Sequence, residues 1–552
     1  MSIDKVTVEV IRHFLEYTAE EMGIVLRNSA YSPNIKERMD HSCAVFDNTG
    51  RMIAQAEHIP VHLGAMPLAV KSVLRNFQDK LFPGDMIIFN DPYEGGTHLP
   101  DVTLIAPIFY RDHLIGFVAN RAHYSDIGGK TPGSMPGDSR EIFEEGLIIP
   151  PVKLVKKGKI DKEVLRIILA NTRTPQIRKG DIYAQIAANL RGAERVTKIL
   201  GKYGLETFQM AVNEILNYSE RRMRNEIRKL PDGKYTGEDF LDDDGIEDKP
   251  VRIFVTIRIH GDSIEFDFTG TDPQVKGSIN APLAVTLSCS YYVLRAVTDP
   301  TIPANEGAYR PLEVIAPEGT VVNAKPPAAV AGGNVETSQR IVDALLKAFS
   351  KIIPEKIPAA AQGTMNNISI GGIDPRTNKP FTFYETIGGG FGGRYGADGV
   401  DGVHSHMTNT MNTPVEEIEK RYPIIILKYS LRPDSGGEGQ WRGGLGIERV
   451  YKILAPATLS LLGERHKFAP WGLLGGKPGK TGEYLLIRER KTIKLRSKQS
   501  ISLKPGDIIV IRTPGGGGYG DPSKREKKLI INDLLDEKIT ADRSLASEGD
   551  RS

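Results

Sequence analysis

The sequence predicts an α+β protein, large, mixed and multi-domain, with helices and antiparallel hairpins in its N-terminal part and a β- and glycine-rich C-terminal part. Three observations point there. Long stretches of the first half repeat apolar residues at helical spacing. Other short apolar runs alternate, or face each other across turn residues, as hairpin strands do. The 57 glycines and 35 prolines among 552 residues cluster, and in the second half they separate short strand-like runs.

In chain order, residues 7–27 place Ile11, Phe14, Leu15, Thr18, Met22, Val25 and Leu26 on one helical face. CAVFD and RMIAQ then flank Asn48-Thr49-Gly50, and VTLIAPIF and LIGFVAN flank residues 110–113; both read as hairpins. A helix over 181–200 carries Ile182, Ile186 and Leu190 at spacing four, and a second runs over about 205–228. Beyond residue 231 the texture changes. VRIFVTIRI alternates strictly, Gly261-Asp262 turns the chain, and IEFDF alternates back. A helix over 335–349 follows Asn334, which reads as its N-cap. Short strands and glycine clusters fill the chain to about 520, and the end reads as one short helix and a polar tail. The expected division is an N-terminal region at 1–230, a β-rich region at 231–522 and a terminal helix and tail at 523–552. No repeat of solenoid period occurs.

Hydrophobic residues make up 40% and charged residues 26%, ordinary for a globular protein. A net charge of +3 gives no reason to propose a nucleic-acid partner. The two cysteines, Cys43 and Cys289, lie far apart among apolar residues, which excludes a disulfide framework and a cysteine-rich zinc module. The start, MSIDKVTVEVIRHFLEY, lacks the apolar core of a signal peptide. No apolar run approaches the ~18 residues that span a bilayer. A cytoplasmic protein with no membrane partner is expected.

The chemistry concentrates in NDPYEGGTHLPDV, residues 90–102, and RAHYSD, residues 121–126. Taken as a hairpin with a three-residue loop at 111–113, the flanking strands pair Tyr110 with Leu114 and bring Asp101 opposite His123. The Cβ atoms of such a pair lie ~5 Å apart on one face of the sheet. His98, three residues before Asp101, can bend back to the same point. A two-residue loop would slip the register by one and put Asp101 and His123 on opposite faces. Imidazoles and carboxylates without a thiolate suit Zn, Mn or Fe(II). The alternative is a set of hydrogen-bonded turn and strand-end histidines.

Other motifs fail on context. GGGFGG (388–393) and GGGGYG (515–520) match a dinucleotide fingerprint, but RYGADGVDG and DPSKRE follow them and neither opens a helix. GGKPGKT (475–481) lacks the first glycine of a phosphate loop, having Leu474 there, and a strand, EYLLI, follows. His58 and His62 stand four apart, but Pro60 between them argues against a helical ligand pair. GVHSHMTNTMNTPVE (402–416) could line a polar pocket or could tie down its own backbone.

Together, NDPYEGGTHLPDV, RAHYSDIGG, PGDSREIFEEGL, GDIYAQIAAN, GGNVETSQR, GADGVDGVHSHMTNTMNTPVE and PGGGGYGDP resemble the motifs of the hydantoinase B/oxoprolinase family, in its order, from about residue 5 to 542. The resemblance implies a subunit of an ATP-dependent hydrolase of cyclic amides (hydantoins, 5-oxoproline or lactams). A HyuA-like partner would bind ATP and phosphorylate the substrate, in a hetero-oligomer such as α2β2. It also implies one divalent metal, Zn or Mn, held by Asp40, His98, Asp101 and His123, with Asp126 beside them as a supporting or catalytic residue. Asn90 and Asp91 are expected to shape the turn beneath the metal or meet substrate, and His404, His406, Asn409 and Asn412 to line the substrate pocket. Related ketone carboxylases make a carboxylase subunit the rival reading, and a non-catalytic scaffold for the partner a third.

Overall fold

A computed structural model describes residues 3–56 and 58–541. Its N-terminal part is built on a seven-stranded antiparallel sheet of β1 (His41–Asp47), β2 (Met52–Gln55), β3 (Met86–Phe89), β4 (Asp101–Tyr110), β5 (His113–His123), β6 (Val152–Lys156) and β7 (Lys159–Ile160). Their order across the sheet is β2-β1-β5-β4-β3-β6-β7. The hairpins expected around Asn48-Thr49-Gly50 and residues 110–113 are both present.

The predicted helices form as Lys5–Ser29, Pro175–Tyr203 and Leu205–Ile227. The first buries Ile11, Leu15, Thr18, Met22 and Leu26, five of the seven residues assigned to its inner face. With the Pro175–Tyr203 helix it covers one face of the sheet. That second helix is fastened by polar side chains as well as apolar ones. Gln185 Nε2 donates to Val102 O at 2.9 Å, and Asn189 Nδ2 to Leu104 O at 2.9 Å. Asn120 in β5 reaches back to Gln185 O and Asn189 Oδ1. All three side chains are buried, and their amide nitrogens all find acceptors, as a buried donor under a helix must.

The other sheet face packs on the C-terminal part. One apolar core joins Phe46, Ile105, Phe117 and Ala119 to Ile253, Phe266, Leu345 and Leu462. This part holds a four-stranded sheet ordered Leu312–Ile315, Ser263–Asp267, Val251–His260, Gly233–Leu241, whose first pair is parallel. A second four-stranded sheet is ordered Lys379–Glu385, Asn367–Asp374, Ala457–Leu462, Lys498–Leu503. A five-stranded sheet runs Ile424–Arg432, Gly446–Ile453, Ile508–Arg512, Glu483–Arg488, Lys491–Leu495. The Val251–Asp267 hairpin turns between His260 and Ser263, around Gly261-Asp262 as expected.

Two local expectations are corrected. The hairpin loop between β4 and β5 has two residues, and Tyr110 pairs with His113 instead of Leu114. Arg111 and Asp112 both take the left-handed conformation, the geometry that matches the twist of a tight hairpin. Asn334 is also not an N-cap. The helical run begins at Ala331 and continues to Phe349, with a π-helical turn at Gly333–Thr337 that contains Asn334, so Asn334 lies inside the helix.

The glycine clusters explain themselves in the fold. A Cβ at Gly390 would lie 1.9 Å from Gly444 O, and one at Gly518 would lie 2.0 Å from Glu438 O. Extended segments pack backbone against backbone there. Their N–H groups bond neighbouring carbonyls: Gly393 to Gly517, Gly444 to Phe391 and Gly516 to Gly444. Donors already engaged in this way do not form a phosphate cradle. The short terminal helix is Lys527–Leu535; the polar tail from 542 onward lies outside the described residues. Cys43 and Cys289 are buried free thiols. Among the described residues no helix is long and apolar enough to cross a membrane.

Candidate metal centre

The two-residue turn should have separated Asp101 from His123. A β-bulge prevents this. Ile108 pairs with Gly116 but Phe109 with Leu114, so Ile115 is an extra residue on β5. Beyond it the register is shifted by one, and Asp101 pairs with His123 after all. Both side chains point toward the C-terminal part, because Val102 and Ala122 face the helices on the other side.

His98, Asp101 and His123 form a buried group of donors. His98 Nε2 and His123 Nδ1 each lie 3.1 Å from Asp101 Oδ1. The two nitrogens are 3.2 Å apart. Donors ~2.0–2.2 Å from one ion sit roughly 3.0–3.5 Å from each other, so this triangle fits one face of a tetrahedral or octahedral site. The electrostatics agree. Burial alone would raise the Asp101 carboxyl, but His98, His62 and His123 hold it well below its ordinary value. Burial pulls His123 below its ordinary value, against the opposing charges of Asp40 and Asp101. An anionic carboxylate beside a neutral imidazole is the state in which such residues bind a cation.

Each donor is held from a different element. His98 ends the NDPYEGGTH loop, whose shape comes from Asn90: its Nδ2 donates to Leu99 O and Leu147 O, and its Oδ1 accepts from Ile149 N. Asp91 accepts from Tyr93 N and caps the short turn at Pro92–Glu94. Asn90 and Asp91 therefore build the loop, and in this structure both side chains are turned to backbone. His98 Nδ1 faces Ala331 O at 3.4 Å. Ala331 is fixed in turn by Glu145, which accepts the N–H groups of Val330 and Ala331 and the hydroxyl of Ser139. The His123 ring stacks on Tyr384, with centroids 4.7 Å apart.

Three contacts were missed by sequence reasoning. His62 Nε2 lies 3.2 Å from Asp101 Oδ2. Asn334 Nδ2 lies 3.3 Å from the same oxygen and 3.1 Å from His98 Nε2. Tyr384 comes from the strand Lys379–Glu385. The histidine density of HIPVH was the one available signal. His58 does not join His62; its ring sits 4.9 Å from that of His41, and its Nε2 is 3.9 Å from Glu20.

The remaining site expectations fall around this centre. Asp40 accepts the His123 N–H through its backbone oxygen, and its carboxylate lies 4.0 Å from Arg38 and outside the three-donor group. The Asp126 carboxylate is committed to Arg173 at 2.8 Å and to the backbone N–H groups of Gly128, Gly133 and Arg173. It shapes the turn after β5, and none of these contacts touches the three donors. Asn412 donates to Thr386 O, and exposed Asn409 to His58 O. His406 Nδ1 lies 3.4 Å from the Tyr292 hydroxyl. Among the described residues neither ring nitrogen of His404 has a hydrogen-bond partner, and burial with Arg38 nearby pulls it down to about 3. The loop is stitched to the centre's surroundings where Val61 N donates to Met407 O and Met411 N to Arg38 O.

Glu145 gives a pH test of the loop that backs His98. Burial pushes its carboxyl up to about 7 from an ordinary 4.5, against its three hydrogen bonds. Between those values the folded protein keeps a proton that the unfolded chain has lost. Stability from this group therefore falls as pH rises through the window and levels off above it. Glu145→Gln should narrow the difference in Tm between pH 5 and pH 8. Glu464, also pushed up to about 7 by burial, should preserve part of it.

Comparison with known proteins gives the same architecture a family. Residues 4–522 match the family model described as Hydantoinase B/oxoprolinase. An uncharacterized protein of Methanocaldococcus jannaschii is 51% identical over 98% of this chain and 94% of its own. A putative D-/L-hydantoinase subunit from a Pseudomonas species is 38% identical over 99% of this chain and 95% of its own. Against 5-oxoprolinase 1 of Arabidopsis thaliana the identity is 39% over 94% of this chain, which spans only 42% of that relative's length. The crystal structure of the ATP-dependent caprolactamase from Pseudomonas jessenii superposes with a TM-score of 0.92 at 30% identity, over 98% of this chain and 95% of that one. The chain, with its motifs in order along the whole fold, belongs to the hydantoinase B/oxoprolinase family.

Proposed function

We propose that the chain is the ring-opening component of an ATP-dependent cyclic-amide hydrolase. The observation that carries this reading is the triangle of His98, Asp101 and His123. The names of the relatives support the substrate class: a hydantoinase component, a 5-oxoprolinase and a caprolactamase. A partner chain with an ATP site phosphorylates the amide oxygen, which makes the ring carbon electrophilic enough for water to add. The C–N bond then breaks with a proton passing to nitrogen, and phosphate leaves when the resulting acyl phosphate is hydrolysed. His98, Asp101 and His123 would hold a divalent cation, Zn or Mn, which would supply Lewis acidity and a bound water of lowered pKa, toward ~7. His98 and His123 present unprotonated nitrogens to it, and Asp101 and Asp40 balance its charge. The burial of all four residues excludes bulk solvent, which strengthens every charge interaction at the centre. The loop of His404, His406, Asn409 and Asn412 borders the substrate's side of the centre.

Elemental analysis tests this directly. Protein purified without chelator should carry about one divalent ion per chain. His98→Ala should lose it while circular dichroism stays unchanged. A metal-free wild-type protein that still supports ring opening would refute the reading.

A further inference from the structure

Asp101 divides its two oxygens between two sets of neighbours. Oδ1 faces His98 and His123. Oδ2 accepts the Thr97 hydroxyl at 2.6 Å and faces His62 Nε2 at 3.2 Å and Asn334 Nδ2 at 3.3 Å. His62 stands outside the three-donor group. We propose that His62, backed by Ser42, is a positioning residue for the metal: it locks Asp101 as a one-oxygen donor, with Oδ1 alone turned to the ion. This rests on the metal reading above.

An unrestrained carboxylate can rotate and offer a cation one oxygen or two. Oδ2 held by Thr97, His62 and Asn334 cannot swing in. Hydrogen-bond partners of ligating groups set their orientation, and losing one typically costs ~10–100-fold in metal affinity. The direction of the His62 bond is set from behind. Ser42 Oγ accepts the Ile59 N–H at 3.2 Å, which leaves its own hydrogen for His62 Nδ1 at 3.2 Å. The hydrogen on Nε2 then meets Oδ2.

The short helix Pro60–Leu63 that carries His62 is clamped by both halves of the chain. Ser288 Oγ donates to Val61 O at 2.9 Å, and a Cβ at Gly64 would lie 2.5 Å from Ser288 Cα. The order Ser42–His62–Asp101 resembles a nucleophilic triad. Ser42 is fully buried and its oxygen is already an acceptor, so the chain of bonds orients Asp101 and does not activate the serine.

The experiment is Co(II) binding to the full-length chain, by competition with a chromophoric chelator. His62→Ala should weaken binding by roughly 10–100-fold. His62→Gln, which keeps a donor of similar reach, should restore most of the loss. Ser42→Ala should weaken binding by about threefold to tenfold, since Nδ1 loses its partner. The Co(II) absorption bands should keep their positions in His62→Gln and Ser42→Ala, where Oδ2 keeps a donor, and shift only modestly in His62→Ala, where Oδ2 is freed while His98 and His123 still ligate. Unchanged affinity in folded His62→Ala, or in Ser42→Ala should the first variant not fold, overturns the proposal. So does a changed spectrum in His62→Ala with a loss as large as that of His98→Ala, which would make His62 a ligand. If the wild-type chain binds no Co(II), the metal reading itself fails; if wild type binds and the variants match it, only the role of His62 falls.

Discussion

On the proposed reading, His123→Ala should cut ring-opened product by ~10³ or more in the complex reconstituted with the proposed ATP-binding partner, because the centre would supply both the nucleophile and the stabilisation of developing charge. The variant loses a nitrogen donor of the triangle, while in the proposed division of labour the site that phosphorylates substrate lies on another chain and is untouched. ATP consumption or phosphorylated substrate should therefore persist after product has vanished. A histidine that only held β5 in place would behave differently, with a lower Tm and normal turnover per folded molecule. Product yield, ATP turnover and Tm measured on one preparation separate the two, and a wild-type yield from folded His123→Ala would end the proposal.

The second large effect is on stability. Gly516→Ala should destabilise the protein by roughly 3 kcal/mol or more, the range of substitutions that force packed groups apart. A Cβ at Gly516 would sit 2.1 Å from Phe391 O and 2.4 Å from Phe391 C, and neither backbone atom can rotate away. Gly201→Ala is the control. Gly201 lies in the Pro175–Tyr203 helix with nothing within 4 Å of its added Cβ, and there alanine should be neutral or stabilising by up to ~1 kcal/mol. Denaturant unfolding of the two variants beside wild type checks both. Equal stability would mean that the glycine-built core tolerates side chains.

Some of this molecule could be read from its sequence, for physical reasons that differ by element. The Lys5–Ser29 helix and the Val251–Asp267 hairpin declare themselves because one face of each is apolar at a fixed period. Asp101 opposite His123 was readable because strand pairing is nearly arithmetic. The arithmetic assumed a three-residue loop, and nothing in HLIGFV marks Ile115 as the residue left over. His62, Asn334 and Tyr384 were not readable, since they reach the centre from distant parts of the chain and carry no periodic signal. Asn334 misled for a specific reason: asparagine before an apolar helix is a good cap, but the helix starts earlier, at Ala331, and takes Asn334 into a π-helical turn. The glycine motifs were readable as failures of a nucleotide loop, while their use as close-packed backbone required the fold.

Ile115 also carries a consequence for comparing relatives. Between Asp101 and His123, side-chain facing follows the odd or even count of intervening residues. One residue inserted or lost there, with the ladder kept regular, would mirror every later position through the sheet and turn His123 toward the helices. Length changes in this hairpin are tolerable in pairs, or singly where a bulge is gained or lost or the turn itself lengthens or shortens by one. An alignment gap of one at this place therefore predicts a change of bulge or of turn length, and it need not mean a lost ligand.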